Sequence, residues 1–593
     1  MENLPISDPL ILTAPLETST STATNNPTVP GPKIETNEYI TIASTKRATL
    51  ASLIPPEWRV PDPLPSADEI PNVTKYALKY LTSREADITE KYTAEDLVVQ
   101  IAQGVYSAVE VLRAFGRRAV VAGQLTNCLS EVLLSQAFKR ATELDNHLAT
   151  TGTTVGPLHG LPVSVKDQFR VEGAQTSIGF VGLLGKKETK ESESEAVRIL
   201  KEAGAVVYVK TNVPSGMMAI ETNNNIIGYT SNAYNRDLSS GGSSGVFLFP
   251  TQGEASLIAS RGSLIGLGTD IGASIRLPAG VSGLYGLKPS VGRLPYQGLA
   301  NTMDGQTVIP SVIGPISHSP SDLSFMMKIL LNSKPWERDP NVIPLPWRSD
   351  VDEEVRASGK DRKRKFGVMQ WDGMVMPHPP IQRVLQETVE KLRGEGFEVI
   401  DWNPPAHSEA FNILFKVFTA DSGQEIHGLF SLASEPPVPE VALSYSNSAS
   451  AALSALGPPM TITAYWELQK QTLSYRERYA EYWNSTGGVD AVIMPVAPSV
   501  SVRKGEGKYF GYTGVANVLD AASVVIPAGV SDKGKDGRKE RDMDGVSDMD
   551  KTIWESYDPE VFDGMPVGLQ IMGRRLEEEK VLAIAKELEP LLR

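Results

Sequence analysis

Apolar residues are spaced in two ways along this chain. In the stretch LTSREADITEKYTAEDLVVQIAQGVYSAVEVLRAFGRRAVVAG they recur every three or four positions, which predicts helix continuing as one long helical stretch through Leu144. Further on the period falls to two: Leu161, Val163 and Val165 alternate in GPLHGLPVSVKDQF and predict a strand. The segment EAVRILKEAGAVVYVKTNVP then reads as a helix, a stop at Gly204 and a buried strand from Val206 to Val209. The same rhythm returns in IQRVLQETVEKLRGEGFEVIDW, in GVDAVIMPVAP and in AASVVIPAG. Helices alternating with strands predict an α/β architecture.

Two segments fall outside this patterning. Residues 1–40 are rich in Thr, Ser, Pro and Asn (ETSTSTATNNPTVPGP) and too polar to offset the entropy of ordering, so a disordered tail is expected. Residues 531–550 (SDKGKDGRKERDMDGVSDMD) read as a mobile surface loop. No repeat of 20 to 50 residues and no linker appears between them. One domain over 41–593 follows, with a helical part at 41–150, a core at 151–330 and an α/β part at 331–593.

Composition narrows the function. The 593 residues hold 57 Lys+Arg against 71 Asp+Glu, a net charge of −14, which argues against a nucleic-acid footprint. The densest basic run, DRKRK at 361–365, precedes a strand-like FGVMQW and reads as a solvated loop. With 41% apolar residues the chain can build a large core. The single cysteine, Cys128, lies in helical-looking text with no base nearby and reads as a buried core thiol, consistent with a reducing, cytoplasmic setting. No run of 18 apolar residues and no targeting segment is found, so no membrane span is expected. Neither a HExxH, a Cys/His cluster nor a GxxxxGK[ST] loop is present, so no metal and no cofactor is expected.

The chemistry is concentrated at residues 239–290, SSGGSSGVFLFPTQGEASLIASRGSLIGLGTDIGASIRLPAGVSGLYGLKPS. Glycine inside regular elements costs about 0.5–1 kcal/mol each, which is tolerated where backbone must approach something closely. A flexible linker is excluded by the interleaved Leu257, Ile258, Leu264, Ile265, Leu267, Ile271 and Ile275. Ser243, Ser244 and Ser274 are candidate nucleophiles, and a serine hydroxyl needs a base. Of six histidines, His318, His378 and His407 sit in proline-flanked, loop-like text and read as surface or satisfied side chains. GGSSG formally matches a GxSxG elbow, but polar NAYNRDLSS precedes it where that motif needs a buried strand. Lys166, ending the apolar strand LPVSVK, is the remaining base, because desolvation can strip its proton.

Lys166 in LPVSVKD, GGSSG, and GTDIGASIRLPAGVSGLYGLKPS together resemble the amidase signature family, serine hydrolases with a Ser-Ser-Lys triad. PPEWRVP, YSAVEVLRAFGRRA and WESYDPEVFDGMPVGLQIMGRR resemble its fungal acetamidase or general amidase branch. The resemblance runs from about Ile54 to the C-terminus. It implies one large domain, a mixed twisted sheet covered by helices on both faces, acting on a small-molecule amide without metal or cofactor. Carried over by position, Lys166 matches the base, Ser243 the bridging serine and Ser274 the acyl-forming nucleophile. Backbone amides of Ile271, Gly272, Ala273 and Ser274 match the oxyanion hole, and Met217 and Ser243 match substrate-contacting positions. Asp270 and Arg276 read as an ion pair shaping the nucleophile loop. An amidotransferase subunit of the same fold is the alternative, and the assembly, a homodimer included, is left open.

Two departures stand out. Ala273 replaces a glycine usual before the nucleophile, which matters only if that position needs positive φ. The family text GGSSGGE is interrupted here by residues 246–252 (VFLFPTQ); removing them brings Ser243 and Ser274 from 31 to 24 positions apart, the usual spacing. Phe-Leu-Phe-Pro-Thr-Gln can be encoded by a pyrimidine tract ending in CAG, so the interruption reads as the tail of a retained intron. A genuine insert would instead displace Ser243 and leave an impaired catalyst or a non-catalytic homologue.

Overall fold

The computed structural model describes residues 38–241, 252–361 and 363–592. Within them, runs of β-branched and small residues form eleven strands: β1 (Leu129–Val132), β2 (Pro162–Lys166), β3 (Val206–Thr211), β4 (Ile265–Asp270), β5 (Tyr285–Lys288), β6 (Val312–Ser317), β7 (Lys365–Val368), β8 (Glu398–Asp401), β9 (Ala491–Pro495), β10 (Ser523–Val530) and β11 (Pro566–Met572). They build one sheet in the order β1-β3-β2-β4-β6-β5-β10-β11-β9-β7-β8. β2 is parallel to β3 and β4, and β7 to β8 and β9, while the pairs between these two groups are antiparallel. The fold is α/β, as the alternation of periods predicts.

Side chains alternate across each strand, and both faces are apolar. Ala491 and Ile493 join one core cluster while Val492 and Met494 join the other; Val524 and Ile526 face the first and Val525 the second. Each face is therefore roofed by helix: Glu195–Glu202, Pro379–Gly394 and Glu578–Leu592 on the first cluster, and His407–Phe418 and Gly511–Val518 on the second. The helix Pro379–Gly394 connects β7 to its parallel neighbour β8, as a crossover between parallel strands must.

Several expectations need correction. The helical stretch through Leu144 is two helices, Ala108–Thr126 and Leu134–Thr151, separated by β1. Asn127 adopts the left-handed conformation (φ 56°) that ends the first, so Cys128 lies beside a strand and not in a helix. Its thiol is nevertheless buried, which pushes its pKa up to about 12. A helix already begins at Glu38, inside the stretch read as tail; residues 1–37 lie outside those described. Residues 531–550 are not a free loop. Asp536 is buried against Arg383, Ser547 caps the helix Asp548–Glu555 by accepting the Asp550 amide, and Asp550 holds Arg541 through both carboxylate oxygens. In the basic run, Arg364 is buried and paired with Glu587.

The described residues from Glu38 onward belong to one compact unit. Among the described residues, no helix is long and apolar enough to cross a membrane.

Candidate active site

β2 and β4 are adjacent and parallel, so their last residues, Lys166 and Asp270, lie at the same end of the sheet. Loops at the carboxyl ends of parallel strands are where α/β folds place ligands. Lys166 is fully buried and has no ion-pair partner within 4 Å among the described residues. Burial pushes its pKa down to about 7, against the opposing pull of Asp270 and Asp167. A buried ammonium without a salt bridge is costly, and shedding the proton relieves the cost.

Its hydrogen bonds give the amine a direction. Lys166 Nζ donates to Thr269 Oγ1 at 2.7 Å, and Thr269 passes its own hydrogen to Gln168 Oε1 at 2.5 Å. Gln168 is held by bonds from its Nε2 to Tyr296 Oη (3.0 Å) and the Ala300 carbonyl (3.2 Å). With the Thr269 hydrogen committed, Lys166 is the donor in that pair. Among the described residues nothing else bonds Lys166 Nζ, so there the lone pair of the neutral amine is open to a proton.

The turn after β4 carries Ile271, Gly272, Ala273 and Ser274, all buried. Asp270 closes it by accepting the amides of Ile275 (3.2 Å) and Arg276 (3.4 Å). The expected ion pair is present: Arg276 reaches Asp270 through Nε at 3.0 Å and Nη2 at 2.9 Å, both side chains fully buried. Arg276 also bonds the carbonyl of Thr513 at 2.7 Å and Asn517 Oδ1 at 2.5 Å, and Asn517 returns a bond to Asp270 at 3.0 Å. Burial alone would raise the Asp270 carboxyl; Arg276 and Asn517 outweigh it and hold the group below the usual carboxylate range.

So braced, the turn leaves donors unused. The amides of residues 271–274 have no acceptor among the described residues, and neither does the buried Ser274 Oγ. Unpaired buried polar groups are rare and costly, and they cluster where chemistry needs them.

Met217 lies in the short 3₁₀ turn Ser215–Met217, buried, with φ 59°. Ile178, with φ 41°, faces the same turn and accepts the Gly216 amide at 2.8 Å. Asp167 accepts the Ile178 amide at 2.8 Å, tying this strained backbone to the residue beside Lys166. Met217, Ile271 and Ala273 share one apolar cluster. Ser243 and Ser244 lie outside the described residues, as do residues 246–251 of the interruption; Gln252 opens the helix Gln252–Ala259. Three of the expected loop histidines each have one ring nitrogen bonded elsewhere, although Nδ1 of His378 and of His407 is buried without a partner among the described residues. His318, His378 and His407 bond the Ile258 carbonyl, the Ile553 carbonyl and Tyr479, and burial pushes His378 down to about 4 and His407 to about 3.

The Amidase family profile matches residues 110–582, four fifths of the sequence. The chain belongs to the amidase signature family. Among curated relatives of this amidase, the acetamidase of Emericella nidulans is 41% identical over 556 residues, covering 93% of this chain and 98% of that protein. The acetamidase of Aspergillus oryzae is 42% identical over 556 residues, with the same coverage. Among solved structures, a fatty acid amide hydrolase matches with a TM-score of 0.85 at 33% identity, covering 95% of this chain and 97% of that one. The amidase is a hydrolase acting on amide bonds. Its Ala273 is not among the residues with positive φ, so the added methyl costs the backbone nothing there.

Sequence reasoning missed Thr269, Gln168 and Asn517. Gln168 was accessible, two residues beyond Lys166. Nothing local distinguishes Thr269 or Asn517, whose roles arise only from packing.

Proposed function

We propose that this amidase hydrolyses a small carboxylic amide to carboxylate and ammonia or amine through an acyl-enzyme on Ser274. Lys166 is the base and Ser243 the bridging hydroxyl, the latter by family resemblance. The observation that carries this reading is Lys166: buried, without an ion-pair partner among the described residues, and oriented by Thr269. Neutral Lys166 takes the proton of Ser243, which takes that of Ser274, and Ser274 Oγ attacks the carbonyl carbon. The open amides of 271–274 receive the oxyanion, each such donor contributing about 2.7–4 kcal/mol in other enzymes. The relay returns its proton to the leaving nitrogen, and water hydrolyses the ester. The acetamidase relatives favour a short acyl group, with Met217 on its wall.

Activity should follow the neutral fraction of Lys166. The pKa near 7 predicts that kcat/KM is level above neutrality and falls about tenfold per pH unit below it. A profile flat to pH 5 would remove Lys166 as the base. The overall test is turnover of a panel from acetamide to aryl and long-chain amides, with glutamine included. Glutamine turnover that needed a second protein would favour the amidotransferase reading.

The interruption at 246–252 supports a second reading, an impaired catalyst. If it is a retained intron tail, the chain lacking these residues should gain activity by at least about tenfold, and the messenger RNA should lack their codons. Messenger RNA that carries the codons in every copy, with equal turnover by the two chains, refutes it.

A further inference from the structure

Behind Lys166 lies a buried carboxyl that the mechanism above does not use. Glu254 belongs to the helix Gln252–Ala259, is fully buried, and has no cation within 4 Å among the described residues. Its Oε1 accepts the hydroxyl of Ser164 and its Oε2 that of Thr211 at 2.7 Å. Ser164 is two residues before Lys166 on the same face of β2, and Thr211 is the partner of Lys166 on β3. The third wall is Gly266 on β4, paired with Ser164. A Cβ at Gly266 would overlap Glu254 Oε1 and lie 2.6 Å from Ser164 Oγ, so the glycine makes room for the acid.

Three neighbouring strands thus present two hydroxyls and a gap, and one carboxyl fills them. A carboxyl buried against hydroxyls alone is an expensive choice for packing. Its titratable neighbours Cys128 and Tyr208 are neutral or anionic and offer no counter-charge; burial pushes Cys128 up to about 12 and Tyr208 well upward, so neither adds a negative charge. Burial also pushes Glu254 itself up to about 7, against the pull of the two hydroxyls.

We propose that Glu254 is a positioning residue that pins the end of β2, and with it Lys166, to β3 and to the helix following the GGSSG segment. It acts by shape and hydrogen bonding and not by charge. The inference rests on Lys166 being the base. Its consequence is that Lys166 stays dry: a loosened strand end would admit water, and the amine would regain its proton.

The test compares Glu254→Ala, Glu254→Gln, Gly266→Ala and Lys166→Ala in the full chain, with folding followed by circular dichroism. Glu254→Ala is expected to lower kcat by about 10- to 100-fold with KM little changed, and to move the acid limb of the pH profile to higher pH. Glu254→Gln keeps the shape and should restore most of the rate with the limb in place. Should Glu254→Ala not fold, Gly266→Ala expels the carboxyl from its niche and should reproduce the kcat loss and limb shift.

Normal kcat and an unmoved limb in folded Glu254→Ala overturn the proposal, as do both in Gly266→Ala where Glu254→Ala does not fold. A Glu254→Gln variant as slow as Glu254→Ala, or with its limb moved to lower pH, shows that charge is what matters and overturns it too. Lys166→Ala separates the two layers. Full activity there removes the base assignment and this inference together, whereas an inactive Lys166→Ala beside a normal Glu254→Ala sinks this inference alone.

Discussion

Ser274→Ala abolishes covalent labelling by a fluorophosphonate probe and lowers kcat/KM by about 10⁵-fold or more, the scale on which loss of a serine nucleophile acts in other hydrolases. That corresponds to about 7 kcal/mol of transition-state stabilisation. The same substitution should leave the fold intact or firmer. Ser274 Oγ is buried without a partner among the described residues, and an unsatisfied buried hydroxyl costs about 1–3 kcal/mol. The variant is therefore expected to unfold at equal or higher urea concentration while being inert. Retained labelling sinks the nucleophile assignment, and a marked loss of stability shows that the hydroxyl has a structural partner.

Arg276→Leu should destabilise the protein by about 3–5 kcal/mol, the usual cost of stranding one member of a buried ion pair. The magnitude is set by what Arg276 joins: Asp270 at the end of β4, the carbonyl of Thr513 and the side chain of Asn517. Without it, a buried Asp270 carboxylate keeps hydrogen bonds from Asn517 and the two amides that close the nucleophile turn, and loses its ion pair. The sign with pH follows from the depressed Asp270 pKa. The stabilisation is present above the ordinary carboxylate value of about 3.9 and is lost as pH falls through the lower folded value. Wild type and variant should therefore converge in stability in strong acid. Adding Asp270→Asn to the variant should recover part of the loss near neutral pH. A difference below about 1 kcal/mol in urea unfolding at pH 7 would mean that the pair is not a brace.

How legible the molecule was in its sequence depended on the range of the signal. The strand ending in Lys166 and the buried serine turn after β4 follow from short-range patterns: alternation, a run of small residues, and interleaved aliphatics that needed a core. The Asp270–Arg276 pair was within reach because its members are six residues apart. Asn517 and Thr513 complete the same network from more than 230 positions away, and no local pattern announces them. The long helix misread through Cys128 shows the opposite failure. Apolar spacing there suits a helix, but a left-handed Asn127 and pairing with β3 make a strand. The charged segment at 531–550 looked free because composition cannot show that Asp536 and Asp550 have partners. Ser243 was assigned by resemblance, and its place in the relay rests on that resemblance.

The strand order has a consequence for how the enzyme comes to life. β5, two strands from β4 in the sheet, is flanked by β10, and β10 by β11, whose last residue is Met572. Arg276, which braces the nucleophile turn, also bonds Gln570 at 3.3 Å in β11. A chain that already holds Lys166 and Ser274 still lacks β9, β10 and β11, which lie later in the sequence. The brace on the nucleophile turn is therefore completed only by the last strand in the sequence.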